Sequence, residues 1–134
     1  MSVRKSETMP IRTQADIVHV RQAVRTWSVD AGMRLVDQTK IVTAASELAR
    51  NTLEYGGGGE LLLESLSEGI RVGLRLTFTD HGPGIPDLEL ALKDGWTSGS
   101  GMGMGLSGSK RLSNEFEIES QVGIGTTVRI TRWK

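Results

Sequence analysis

Three clusters of polar residues and glycines stand in a fixed order along this chain: Glu47-Leu48-Ala49-Arg50-Asn51, Asp80-His81-Gly82-Pro83-Gly84, and Gly101-Met102-Gly103-Met104-Gly105-Leu106. The first carries a carboxylate and a carboxamide at i and i+4. An asparagine oxygen can join a hard magnesium ion that already holds phosphate oxygens, and a neighbouring carboxylate can orient or deprotonate an attacking hydroxyl. The second offers one acid beside two glycines. Asp80 can accept the amino proton of a base, and Gly82 and Gly84 leave space for a flat ring. The third can bring backbone amides against phosphate oxygens where a helix begins. Together the three describe a nucleotide pocket.

Each cluster also has an ordinary reading. Polar pairs at i and i+4 lie on most exposed helix faces, so the spacing of Glu47 and Asn51 proves little alone. Arg50 points elsewhere on the helix, as a surface or partner contact. An Asp-x-Gly-x-Gly run with proline also describes a turn. Glycine triplets identify nothing by themselves, but two common alternatives fail on context. A dinucleotide loop follows directly on a hydrophobic strand, whereas Trp96-Thr97-Ser98-Gly99-Ser100 precede this one and resemble a cover. A Walker loop needs lysine and a hydroxyl right after its last glycine, and this chain reads Gly105-Leu106-Ser107-Gly108. The glycines lead instead into a helix whose amides and dipole can hold phosphate. Lys110 could assist there but reads as a solvated helix residue, Met102 and Met104 as packing under the loop, His19 as a partly exposed helix residue and His81 as a solvated loop residue. Thr126 and Thr127 suit a strand, and either hydroxyl could reach a base.

These residues need elements to carry them. Residues 3–12 read as an edge strand leading into a helix cap. Thr13 and Asp16 have capping-box spacing, and Ile17, Val20, Val24, Trp27 and Ala31 recur at helical steps to a stop near Gly32. A second helix is expected from Asp37 to Tyr55, with Ile41, Ala44, Ala45, Leu48 and Ala49 inward and Gly56 as its stop. Glu60–Ser67 reads as a strand, Glu68-Gly69 as a turn, and Ile70, Val72, Leu74, Leu76 and Phe78 as one face of the next strand. Continuing that parity puts Asp80 on the apolar face, and an acid pointing inward needs a donor. A short helix over 86–93, a loop over 94–101, a helix over 105–114 and a hairpin of Phe116–Ser120 with Thr126–Trp133 complete the pattern. The fold class is α/β (α+β): a two-layer sandwich, helices on one face of a mixed, largely antiparallel sheet, with the pocket between the layers.

The 134 residues fit one domain, 1–134, with no internal repeat or linker. Sixteen basic residues balance sixteen acidic ones, which argues against nucleic acid and anionic membrane as partners. No cysteine is present, so disulfides, thiolate metal sites and cysteine nucleophiles are excluded, as suits a reducing cytoplasm. No run reaches the length of about 18 apolar residues that a membrane span needs.

In their order and spacing the clusters resemble the N, G1 and G2 boxes of the GHKL ATPase superfamily over residues 37–131. Glu-Leu-Ala-Arg-Asn, Asp-His-Gly-Pro-Gly-Ile-Pro-Asp and Gly-Met-Gly-Leu-Ser-Gly-Ser-Lys-Arg-Leu look like the partner-switching serine/threonine kinases. Lys93-Asp94-Gly95-Trp96 and Asn114-Glu115-Phe116 point further, to the RsbT-like group. The resemblance implies ATP and magnesium as ligands. It assigns magnesium to Asn51, the catalytic carboxylate to Glu47, the adenine amine to Asp80 and the base lining to Gly82 and Gly84. Gly101, Gly103 and Gly105 would close on the phosphates, and Thr126 or Thr127 would help fix adenine. It further implies a serine or threonine of a STAS-domain antagonist as acceptor, and a phosphatase or a sigma factor as second partner. The alternative is a nucleotide-gated anti-sigma factor or binding switch with little kinase activity. A histidine kinase is disfavoured, since the chain has no dimerisation helix and His19 lacks a flanking acid.

Overall fold

Thr13 starts the first helix by the box its spacing predicts: its hydroxyl accepts from Asp16 N, while Asp16 Oδ2 accepts from Thr13 N at 3.1 Å. The computed structural model describes residues 1–93 and 104–134. Its elements in chain order are β1 (Ser2–Ile11), α1 (Gln14–Asp30), α2 (Leu35–Glu54), β2 (Gly59–Glu68) and β3 (Arg71–Asp80). There follow α3 (Leu88–Ala91), α4 (Met104–Arg111), β4 (Glu115–Gln121) and β5 (Gly125–Trp133). The strands form one sheet in the order β1-β2-β3-β5-β4, and each neighbouring pair is antiparallel.

Strand alternation decides which side of this sheet the helices cover. Leu61, Leu63, Leu74, Leu76, Phe78, Val128 and Ile130 share one face and one buried cluster with Ile17, Val20, Val24 and Trp27 of α1 and Ile41, Ala45 and Leu48 of α2. The other face is closed by its own long side chains. Arg75 grips Glu64 through two bonds of 2.8 and 3.1 Å, and Arg129 Nε reaches Thr77 Oγ1 at 3.2 Å. The Trp133 ring fills the space left by Gly73, with the Arg71 guanidinium 4.0 Å above it.

Several boundaries differ from expectation: α3 is Leu88–Ala91 where 86–93 is expected, α4 is Met104–Arg111 where 105–114 is expected, and two further differences have physical reasons. Ile70 does not extend the apolar face of β3: it is fully exposed in the β2–β3 turn, where Gly69 takes φ +61 and Ile70 stays negative, the sign pattern of a type II′ hairpin. Asp37, read as the start of α2, lies inside its first turn, because its carboxylate is taken by Arg132 Nη2 at the far end of β5. Arg132 Nη1 also donates to Leu112 O at 3.0 Å, just beyond α4, so one guanidinium ties β5, α2 and α4 together.

This pairing carries a pH prediction. The hydrogen bond from Arg132 holds the Asp37 carboxyl below its ordinary value of 3.8, against the opposing effect of burial, with the charges of Arg132 and Arg34 adding to it. A depressed folded value contributes stability that is fully present above 3.8 and is lost as pH falls through the lowered value. Urea midpoints of the wild type are therefore expected to fall on acidification below that point, and those of Asp37→Asn to fall less. Equal slopes for the two proteins would contradict the linkage.

Candidate functional site

The C-terminal half of α2 presents the first cluster. At about 100° per residue, Asn51 sits at the rim of the buried stripe, Glu47 lies about 40° further toward solvent, and Arg50 about 60° beyond Glu47. The observed burial follows this order: Ala44 and Leu48 are buried, Asn51 and Glu47 intermediate, Arg50 exposed. Arg50 does not stand apart as expected. Its Nη1 lies 3.3 Å from Glu47 Oε1 and 3.5 Å from Oε2, an i,i+3 pair. The Asn51 amide nitrogen is buried without a hydrogen-bond partner among the described residues. A half-turn of the amide exchanges nitrogen for oxygen, so this unsatisfied end can face a ligand as donor or acceptor.

The end of α2 then runs straight into the second cluster. Tyr55 N and Gly56 N both donate to Asn51 O at 3.0 Å, and Gly57 turns the chain away with φ +76. A side chain at Gly56 would place Cβ 2.4 Å from Asp80 Cγ and 2.5 Å from Oδ2. Gly56 is thus more than a helix stop, and its second role depends on a contact that local spacing does not encode. Tyr55 is a further member that sequence reading missed: its hydroxyl donates to Gly84 O at 2.9 Å, joining α2 to the loop after β3.

Asp80 points inward, as its parity requires, and is 8% exposed. Its Oδ1 accepts from Gly82 N at 2.9 Å and Thr126 N at 3.2 Å. No donor meets Oδ2 among the described residues. A carboxylate with one oxygen committed and the other free is suited to a ligand donor. Thr126 lies directly opposite Asp80 in the β3–β5 register, and its Oγ1 is 2.8 Å from Ser120 Oγ. Thr127 pairs with Thr79 and belongs to the other face of the sheet, so of the two threonines Thr126 is the one beside Asp80.

The glycines of this cluster serve a purpose other than open space. The position a Gly82 Cβ would take is 2.7 Å from Gly56 Cα, and that of Gly84, at φ +78, is 2.4 Å from Gln121 O. At these two points they let backbone approach backbone. An open cavity of about 560 Å³, within the usual range for small-molecule sites, is lined by Asp80, Ser120 and Thr126 and also by Thr79 and Thr127 of the other face, and Asn51 does not line it. A larger groove of about 640 Å³ runs beside Thr8, Arg12, Glu60 and Thr79, and neither Asp80 nor Asn51 lines it.

The third cluster is described in part. Gly105 lies in the first turn of α4, which packs against α2. Gly101, Met102, Gly103 and the expected cover over 94–100 lie outside the described residues. Lys110 is exposed in the last turn of α4, away from the amides at its start. His19 and His81 are exposed.

The family of histidine kinase-, DNA gyrase B-, and HSP90-like ATPases matches residues 36–134, a span that includes all three clusters. The chain belongs to this family. It is the superfamily that the N, G1 and G2 boxes resemble. Within the ATPase family, serine/threonine-protein kinase RsbT of Bacillus subtilis (strain 168) is 42% identical over 123 residues, 92% of each chain. An anti-sigma F factor of Geobacillus stearothermophilus is 33% identical over 99 residues, 70% of this chain and 68% of that protein. The crystal structure of the RsbU and RsbW domains of Rv1364c from Mycobacterium tuberculosis matches with a TM-score of 0.65 at 21% identity. That match covers 97% of this chain and 33% of the other, and it shows the shared ATPase fold. No helix among the described residues is long and apolar enough to cross a membrane.

Proposed function

We propose that this RsbT-like ATPase-family member is a cytoplasmic partner-switching kinase that transfers the γ-phosphate of ATP to a serine or threonine of a STAS-domain antagonist. In its free state it binds a second regulatory partner such as a phosphatase. The observation that carries the enzymatic reading is half-buried Glu47 one helical turn before half-buried Asn51 on one flank of α2. The close likeness to a serine/threonine kinase over nearly the whole chain supports it.

In this reading Asp80 Oδ2 accepts the adenine amine, while Thr126 N and Gly82 N keep Oδ1 engaged and the carboxylate fixed. The backbone at the start of α4 offers amides to the phosphates. Asn51 would hold magnesium through its amide oxygen, the kind of hard ligand that ion takes. Once bound, the ion neutralises charge on the β- and γ-phosphate oxygens. Glu47 takes the proton of the acceptor hydroxyl.

The second reading, a nucleotide-gated anti-sigma switch, is favoured by the likeness to an anti-sigma F factor. Incubation with γ-labelled ATP and a purified STAS-domain protein separates the two. The kinase reading expects label on a serine or threonine of the partner, and a loss of about a hundredfold or more in Glu47→Gln, the usual scale for a general base. Partner binding that depends on nucleotide but leaves the partner unlabelled would favour the switch.

A further inference from the structure

A kinase with a general base beside its triphosphate faces a competing acceptor, water, at a concentration no protein partner approaches. The ion pair on α2 bears on this competition. Glu47 lies between Asn51 on one side and Arg50 on the other, and its carboxylate is turned toward Arg50, with one guanidinium nitrogen within 3.3 and 3.5 Å of its two oxygens. The base is thereby drawn to the flank away from Asn51. Both partners keep solvent contact, with side-chain exposures of 49% for Arg50 and 36% for Glu47, so a docking partner can separate them without unpacking the core.

We infer that Arg50 is an acceptor-specificity residue: it restrains Glu47 while no protein substrate is present, and so disfavours transfer of the γ-phosphate to water over transfer to a protein hydroxyl. This rests on the kinase reading above. In either reaction Glu47 takes the proton of the attacking oxygen as that oxygen bonds to the γ-phosphorus. The bond from γ-phosphorus to the β-bridging oxygen breaks, and its electron pair leaves with ADP. Only the attacking group differs: a water molecule gives phosphate, a serine or threonine gives the phosphoprotein. An arriving partner that contacts Arg50 frees the carboxylate at the moment its own hydroxyl is in place. The size of the effect is bounded, because an exposed i,i+3 ion pair biases a population by about fivefold at most.

The test compares acceptor-free hydrolysis of magnesium-ATP by the wild type, Arg50→Ala, Arg50→Lys, Glu47→Gln and the double variant, with nucleotide affinity measured by calorimetry. Arg50→Ala is expected to hydrolyse about three- to fivefold faster than wild type, within the limit set by an exposed pair. Nucleotide affinity should stay within about twofold, since Arg50 lies on the flank of α2 remote from Asn51. Arg50→Lys should restore part of the restraint, and the double variant should hydrolyse no faster than Glu47→Gln. A readout independent of turnover is the guanidinium NMR signal of Arg50 in the nucleotide-free protein, which should shift in Glu47→Gln. Hydrolysis by Arg50→Ala at or below the wild-type rate would overturn the inference. So would an equal acceleration in the Glu47→Gln background, because Arg50 would then not act through Glu47. If the wild type labels no STAS-domain protein, the kinase proposal fails by itself while the hydrolysis comparison still reports on the restraint.

Discussion

Asn51→Ala is expected to lower phosphoryl transfer on the order of a thousandfold, the scale seen when one preorganised group that stabilises transition-state charge is removed. Its effect on folding is expected to be of the opposite kind. The Asn51 amide nitrogen is buried and makes no hydrogen bond among the described residues, so the nucleotide-free protein carries the desolvation of that group without a compensating partner there. Alanine removes the group and has a higher helix propensity than asparagine in the last turn of α2. The urea midpoint of the nucleotide-free variant should therefore equal or exceed that of the wild type while transfer collapses. A residue kept for packing would show the reverse pattern. Transfer within about tenfold of the wild-type rate would be far short of the expected charge-stabilisation loss and would remove Asn51 from the site.

The second large effect concerns Asp80. Asp80→Asn keeps an oxygen in place of Oδ1 for Thr126 N and Gly82 N, so the loop and the β3–β5 pairing survive. The other end of the side chain becomes an amine that faces the purine amine, donor against donor. Loss of a charge-assisted hydrogen bond plus that mismatch predicts a fall in ATP affinity of about a hundredfold. Gly56→Ala should weaken binding by a different route, since the added methyl would fall 2.5 Å from Asp80 Oδ2 and must displace the carboxylate. Agreement between the two variants, one chemical and one steric, would place the effect at Oδ2 and not in general destabilisation.

Much of this site was legible because it follows short-range rules. Thr13 and Asp16 announce α1 through one capping box, and the strict alternation of Leu74, Leu76 and Phe78 carries Asp80 inward by counting alone. Helical spacing brings Glu47 and Asn51 to one flank of α2. What stayed hidden depends on neighbours distant in sequence or on a choice between near-equal local options. Asp37 looks like a helix start until Arg132, on the last strand, claims its carboxylate. Gly82 and Gly84 look like space for a ring because glycine has no side chain, yet the space is already taken by the backbones of Gly56 and Gln121. Thr126 and Thr127 have equal strand propensity, and only the β3–β5 register shows which one stands beside Asp80. The Arg50 contact follows a short-range rule as well, since i,i+3 acid–base pairs are a known helical contact, although Arg50 points away from Asn51.

Adenine and guanine differ at the position that the proposed function assigns to Asp80, an amine in one and a carbonyl oxygen in the other. Calorimetric titration of the wild-type protein with ATP and with GTP, each with magnesium, tests the site at that atom. Asp80 as the base acceptor predicts heat of binding for ATP and an affinity for GTP lower by about a hundredfold or more, because the carbonyl meets a carboxylate with no donor between them. Equal affinities, or no uptake of ATP, would contradict it.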